Sequence, residues 1–284
     1  MKRFSEGDVI VTDGNQVKRM VGEYEEKLYP YLSSQLPFTA NMIHAVTTFP
    51  ERCETFVVRE DDSISGCLII FHSGYNPHIW HDPLAWITGS EESAPALLRS
   101  IKYEKITIQA PFELEEDLKI AFPDSIHFRE NLMLNKLDRA PEITSTGQRV
   151  LKLDRNDAEG SLNLAGYSER PADAEVLARE ARFIDERVVY GILHDGLLVS
   201  RGAIMSINSD ISTVGAFFTS KELRGKGYAS DVIRRILKDL AKFSSYASLF
   251  VRSDNSTAKS LYESLGFRGE SMAIFTDHNT GLIP

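Results

Sequence analysis

The residues best suited to chemistry lie in Thr219–Ser230, TSKELRGKGYAS. Gly225 and Gly227 stand where a run of strand formers (Val214, Phe217, Phe218) hands over to a strongly patterned helix. There Ala229, Val232, Ile233, Ile236, Leu237 and Leu240 fall on one face. Glycine at such a junction lets backbone N–H groups approach a ligand closely. The unpaired amides and positive dipole end of the following helix favour an anion. Arg224 and Lys226 add positive charge. The chemistry this string predicts is phosphate binding.

Three phosphate loops compete for it. A nucleotide P-loop needs G-x-x-x-x-G-K-[ST], which the chain lacks. A dinucleotide fingerprint, G-x-G-x-x-G, fits Gly225 and Gly227 but meets Ser230 at its third glycine, and a hairpin precedes the strand. The acetyltransferase signature asks for arginine or glutamine, two residues, glycine, one residue, then glycine or alanine; Arg224, Gly227 and Ala229 satisfy it. A loop that merely starts a helix is the plain alternative.

A second segment bears on the choice. Ser248–Arg252 reads as a strand, Asp254-Asn255 as an N-cap pair, and Ala258, Leu261, Tyr262 and Leu265 recur at helical spacing before Gly266, a C-terminal stop. At about 1.5 Å rise per residue, Asn255 and Tyr262 sit roughly 10 Å apart on one face. Taken singly, Asn255 reads as a cap and Tyr262 as core.

On LRGKGYAS (Leu223–Ser230) and NSTAKSLYESLGF (Asn255–Phe267), residues 150–277 resemble the GCN5-related N-acetyltransferase (GNAT) superfamily, which includes a glycine N-acyltransferase-like subgroup. The resemblance implies acetyl-CoA, or another acyl-CoA, as co-substrate, with no metal. It implies that the segment Arg224, Gly225, Lys226, Gly227, Tyr228, Ala229 and Ser230 holds the pyrophosphate. Phe217, Phe218 and Thr219 would pair with the pantetheine arm, itself a pseudo-peptide suited to strand addition. Asn255 would contact that arm, and Tyr262 would donate a proton to the departing thiolate. A backbone N–H near Phe218 would polarise the thioester carbonyl. The acceptor implied is a primary amine of a small molecule or protein. Relatives often carry a glutamate on the strand before the glycine loop, but Ile211–Thr219 holds no carboxylate or histidine. Asp185, Glu186, His194, a water relay or a main-chain acceptor remain as proton acceptors, the last two being preferred. A non-catalytic acyl-CoA sensor or scaffold is the rival reading, and a dinucleotide-dependent oxidoreductase is a third, disfavoured by Ser230.

The elements that must position these residues form two halves. The second half predicts a strand at Val150–Leu153, helices at Asp157–Ala165 and Asp173–Ile184, and strands Arg187–Leu193 and Leu197–Ile207 about the tight turn Asp195-Gly196. Strand Ile211–Thr219, the helix after the loop, strand Ala247–Val251, a further helix and strand Met272–Phe275 follow. The first half predicts helices at Asn15–Ser33, Asn41–Phe49, Ser93–Ile101 and Glu113–Phe122, with strands at Glu54–Glu60, Ile64–Phe71, Lys105–Gln109 and Phe128–Leu137. The seam falls at Asp138–Thr146. The fold class expected is mixed α/β with a mixed sheet, in two GNAT-like domains. Residues 1–140 would be a degenerate copy and 147–284 the catalytic one, the shared closing order hinting at duplication. In the first half WITGSEESAPALL (Trp86–Leu98) occupies the place of the arginine–glycine loop.

Composition narrows the classes further. The 284 residues are 42% hydrophobic and 26% charged, which is ordinary globular usage. A net charge of −9 argues against a nucleic-acid binder. Residues 1–140 carry −8 of it, a solvated surface or a rim attracting a cationic substrate. No run suits a membrane helix, and Met1–Glu6 lacks the apolar core of a secretory signal. Cys53 and Cys67 allow no disulfide framework and read as small buried hydrophobes, so a cytoplasmic home is expected. His72, His78, His81 and Asp82 in FHSGYNPHIWHD form a loose cluster, but Pro77 and Pro83 make the segment a loop, not a metal-binding helix. Glu115-Glu116 reads as a solvated helix face, and Tyr24, Tyr29 and Tyr31 as packing residues.

Overall fold

The computed structural model describes residues 9–12, 15–20, 24–61, 63–72, 82–138, 147–166 and 174–279. Among these, residues up to Asn131 together with Ser271–Asn279 form one compact unit, and Leu132–Glu270 form a second.

The first unit contains β1 (Val9–Thr12), β2 (Asn15–Arg19), α1 (Tyr29–Ser33), α2 (Ala40–Thr48), β3 (Cys53–Glu60), β4 (Ser63–Phe71), β5 (Leu84–Gly89), α3 (Ala94–Ser100), β6 (Lys105–Pro111), α4 (Glu115–Ala121) and the start of β7 (Ile126–Lys136). Strands β1 to β5 pair antiparallel in chain order, and β6 joins β5 in parallel. Two expectations are corrected here. The helix read over Asn15–Ser33 is a strand in its first part and α-helical only at Tyr29–Ser33. Val17, fully buried, registers with Val58, so sheet pairing overrides the weak helical pattern. And Leu84–Gly89, to which the sequence pattern assigns no element, is a strand buried through its first five residues.

The second unit contains the rest of β7, β8 (Val150–Lys152), α5 (Ala158–Leu164), α6 (Ala174–Glu186), β9 (Val188–His194), β10 (Leu197–Ser206), β11 (Ile211–Thr219), α7 (Tyr228–Leu240), β12 (Tyr246–Arg252), α8 (Ser256–Ser264) and the start of β13 (Arg268–Asn279). Strands β8 to β11 are antiparallel in order, and β12 lies parallel to β11. The β9–β10 turn has Asp195 at φ 52° and Gly196 at 79°, both left-handed as the Asp-Gly pair demands. Val232, Ile233, Ile236, Leu237 and Leu240 of α7 are at most 1% exposed, packed with Tyr262 and Phe267 on one sheet face. Phe183 and Ile184 of α6 cover Val189 and Ala203 on another cluster.

The strand read at Met272–Phe275 is present, but its partner is unexpected. From Ala273 to Asn279 it runs antiparallel to β6 of the first unit. Strand periodicity fixes which side chains share a face and leaves the partner open. One pattern recurs in both units: β5 meets β6 in parallel only over Leu84–Trp86, and β11 meets β12 only over Ile211–Thr213.

Candidate active site

Strand β11 determines the site. Its last parallel pair with β12, Thr213 with Ser248, is pinned by a 3.0 Å bond between the two hydroxyls. Beyond that point β11 continues to Thr219 and β12 to Arg252, so the two strands part into a fork. On its other side β11 carries a bulge. Gly215 registers with Ala203 and Phe218 with Arg201, three steps against two. Ala216 takes up the extra residue at φ 54°, a left-handed conformation rare for alanine. The bulge re-aims the amides at Phe217 and Phe218. Gly202 of β10 gives room to one ring, since a Cβ there would lie 2.3 Å from Cδ1 of Phe217.

The glycine loop follows at once. Gly225 (φ 75°) and Gly227 (φ 90°) are both left-handed, and Gly227, the N-cap of α7, has no side chain of its own to cap the first-turn amides. A Cβ at Gly225 would meet nothing within 4 Å, so the loop is open there. Arg224 Nε donates to Thr219 O at 3.2 Å, folding the loop back on the strand end while leaving the arginine exposed. Lys226 is also exposed. Tyr228 instead turns into the core, its hydroxyl 3.5 Å from His194 Nδ1 and the rings edge-on at 6.0 Å.

Helix α8 brings the remaining residues. Asn255 caps it, Oδ1 accepting from Ala258 N at 3.1 Å, and its side chain is exposed. Tyr262 is 8% exposed and packs between Phe217 (5.9 Å between centroids) and Phe267 (6.0 Å). Burial alone pushes its phenol up to about 12, so it is a neutral O–H near neutral pH. Gly266 at φ 95° ends α8 as anticipated, with Phe267 N donating to Tyr262 O.

Of the candidate proton acceptors, Asp185 is bound to Arg155 at 3.0 Å, and His194 lies beside Tyr228 and Asp195. One group of residues escaped sequence reasoning. Arg201 and Glu180 form a fully buried ion pair (2.8 Å), with Ser161 Oγ bonded to the same carboxylate oxygen and Arg201 stacked on Phe218 at 5.2 Å. Its two members are 21 residues apart and each reads alone as a surface charge.

In the first unit the corresponding loop is filled. Ser93 Oγ accepts from Ser90 N and donates to Ser65 O. A Cβ at Gly89 would lie 2.5 Å from that hydroxyl. At the β5–β6 fork Trp86 Nε1 donates to Gln109, whose amide donates to Glu130. His72 is bonded to Glu54 at 2.6 Å, together with Tyr103, while His78 and His81 lie outside the described residues, as does all of the seam after Asp138. Burial raises the thiols of Cys53, to about 12, and of Cys67. No helix among the described residues is long and apolar enough to cross a membrane.

Residues 189–275 match the FR47-like protein family. No curated protein matches the chain. Solved structures do. An acetyltransferase of the GNAT family from Novosphingobium aromaticivorans, described as putative, shares 20% identity, with 87% of this chain and 100% of that one covered and a TM-score of 0.60. A GCN5-related N-acetyltransferase-like protein from Streptococcus suis shares 16% over 88% and 97%, with a TM-score of 0.57. A tandem GNAT protein from the clavulanic acid biosynthesis pathway shares 14% over 95% and 100%, with a TM-score of 0.58. The second half of the chain is thus similar to the FR47-like family, and the fold is that of the GCN5-related N-acetyltransferase structures it matches.

Proposed function

We propose that residues 147–284 form the catalytic part of an acyl-CoA-dependent N-acyltransferase that transfers an acetyl group, or another acyl group, to a primary amine of a small molecule or protein, and that residues 1–140 are a degenerate copy. The observation carrying this reading is the fork of β11 and β12 opening beside a left-handed glycine pair at the α7 N-terminus. These features fit a CoA thioester. The parted strand offers main-chain partners from Phe217 to Thr219 to a pseudo-peptide arm. The open amides of Gly225 to Ser230, with Arg224 and Lys226, suit a diphosphate. Asn255, at the head of α8, uses its carbonyl oxygen for the cap and keeps its amide group for the arm.

The co-substrate supplies an activated thioester. The chain's own residues do the rest. A main-chain N–H beside the bulge, near Phe218, holds the developing charge on the attacked carbonyl oxygen. As the amine nitrogen bonds to the carbonyl carbon, the carbon–sulfur bond breaks and the Tyr262 hydroxyl gives its proton to the departing sulfur. The amine's proton leaves through water, because β11 offers no carboxylate, and solvent returns a proton to Tyr262.

The missing strand carboxylate favours one rival, an acyl-CoA-binding sensor without turnover. Calorimetry with acetyl-CoA, followed by thiol detection against an amine panel, separates the two. Binding with amine-dependent thiol release supports the enzyme; binding without it supports the sensor; absence of binding sinks both. The site has no metal requirement in this reading, and the compartment expected is the cytoplasm.

A further inference from the structure

Ala216 sits at φ 54°, a left-handed conformation strained for any residue with a Cβ, so its surroundings must hold it there. Two consecutive residues of β10 do so from opposite faces. Gly202 admits the Phe217 ring on the α7 side. Arg201, registered directly with Phe218 after the bulge, stacks its guanidinium on the Phe218 ring (5.2 Å) and the Phe183 ring (5.9 Å). The guanidinium cannot slide, because Nη1 is bonded to Glu180 Oε1 at 2.8 Å and that oxygen also accepts from Ser161 Oγ at 2.5 Å. Both charged side chains are wholly inaccessible to solvent.

A buried ion pair is a poor source of stability. Replacing one by apolar residues of similar volume is commonly neutral or stabilising, whereas its directional bonds fix a geometry. Here the geometry fixed is that of the bulge. We infer that Arg201, locked by Glu180, is a positioning residue that sets the direction of the main-chain N–H beside Phe218. This rests on the acyltransferase reading for its catalytic consequence, though not for its structural one.

The test compares the native chain with the paired variant Glu180→Leu/Arg201→Met and with Arg201→Lys, which keeps a cation beside Glu180 but removes the planar stack. In the paired variant we expect an unchanged or higher Tm and an acetyl-CoA Kd within threefold of native, because the glycine loop is untouched. Turnover should fall tenfold or more. Arg201→Lys should lose at least threefold in kcat at unchanged Kd. A folded paired variant with kcat within twofold of native overturns the inference. Failure of both variants to fold also overturns it, since the pair is then a stability device. If the native chain turns over no amine, the acyltransferase reading fails by itself. The positioning is then read from amide hydrogen exchange: at least tenfold faster at Phe218 in the paired variant, with Val232 unchanged. Equal exchange at Phe218 overturns it.

Discussion

The Tyr262 ring lies against that of Phe217, centroids 5.9 Å and planes 49° apart. One contact thereby ties the candidate acid on α8 to the bulged strand that would present the thioester. Because the ring does the packing, removing the hydroxyl should leave the fold intact. Tyr262→Phe is expected to lower kcat by about 10²-fold, the lower end for general acid catalysis, with little change in the KM for acyl-CoA. Steady-state kinetics decide the matter, and unchanged turnover removes Tyr262 from the acid role. Its pH behaviour follows from burial. With the phenol raised to about 12, no fall in kcat up to about pH 10 should trace to Tyr262 deprotonation. Stability should decline above about pH 10, where the unfolded chain ionises its tyrosine first.

In the proposed reading Gly227 has both a conformational and a binding role. At φ 90° an alanine is strained by about 1 kcal/mol, and relieving that strain would shift the amides of the loop. Gly227→Ala should lower Tm by a few degrees and weaken CoA binding by tenfold or more, as read by calorimetry. Affinity equal to native would show that the α7 N-terminus is not where the diphosphate binds.

How much of this was legible varies with the kind of signal. The α7 face could be read because apolar residues recurring at a 3.6 period mark one side of a helix and no side of a strand. The glycine loop could be read because glycine is the residue favoured where the backbone turns left-handed, as it does at Gly225 and Gly227. The bulge could not, since alanine gives no hint of φ 54° and only the register with β10 exposes the extra residue. The Glu180–Arg201 pair was hidden because pairing across 21 residues is a property of the fold. The strand at Leu84–Gly89 escaped because LAWITG lacks the alternation of a half-exposed strand, being buried on both faces almost throughout.

The first unit shares the three-pair parallel meeting of strands but not the space beyond it. Ser93 occupies the loop beside Gly66 and Gly89, and the fork is bridged by Trp86, Gln109 and Glu130. Neither Gly66 nor Gly89 is left-handed. One acyl-CoA per chain is therefore expected. A titration giving two equivalent sites would contradict the assignment of residues 1–140 as a degenerate copy.

Asp239 on α7 gives the second unit an acid-dependent component of stability. Burial pushes its carboxyl up, but bonds from Lys242, Tyr190 and Arg235 outweigh this and hold it well below the usual carboxylate range. Tyr190 donates at 2.5 Å, Lys242 at 2.8 Å and Arg235 at 2.9 Å. A depressed carboxyl stabilises above the unfolded value, near about pH 4, and its contribution is lost as pH falls below that. Asp239→Asn should cost about 1–2 kcal/mol near neutrality and show a shallower loss between about pH 4 and 2. Urea midpoints across that range measure it, and parallel curves for the two proteins would refute it.

Gly202 offers the sharpest steric test of the bulge. A methyl group there would lie 2.3 Å from Cδ1 and 2.4 Å from Cε1 of Phe217, so Gly202→Ala must displace the ring or the strand. Overpacking of this kind costs about 1–3 kcal/mol. Phe217 also touches Tyr262, so the displacement should reach the acid, lowering kcat together with Tm. Trimming the ring should undo the clash: Gly202→Ala/Phe217→Leu is expected to recover much of the lost Tm, while kcat stays low because the contact that seats Tyr262 is altered. Denaturation and turnover measured on the two variants and on Phe217→Leu close the cycle. Additive losses, with no recovery in the double variant, would mean that Gly202 does not serve to admit this ring.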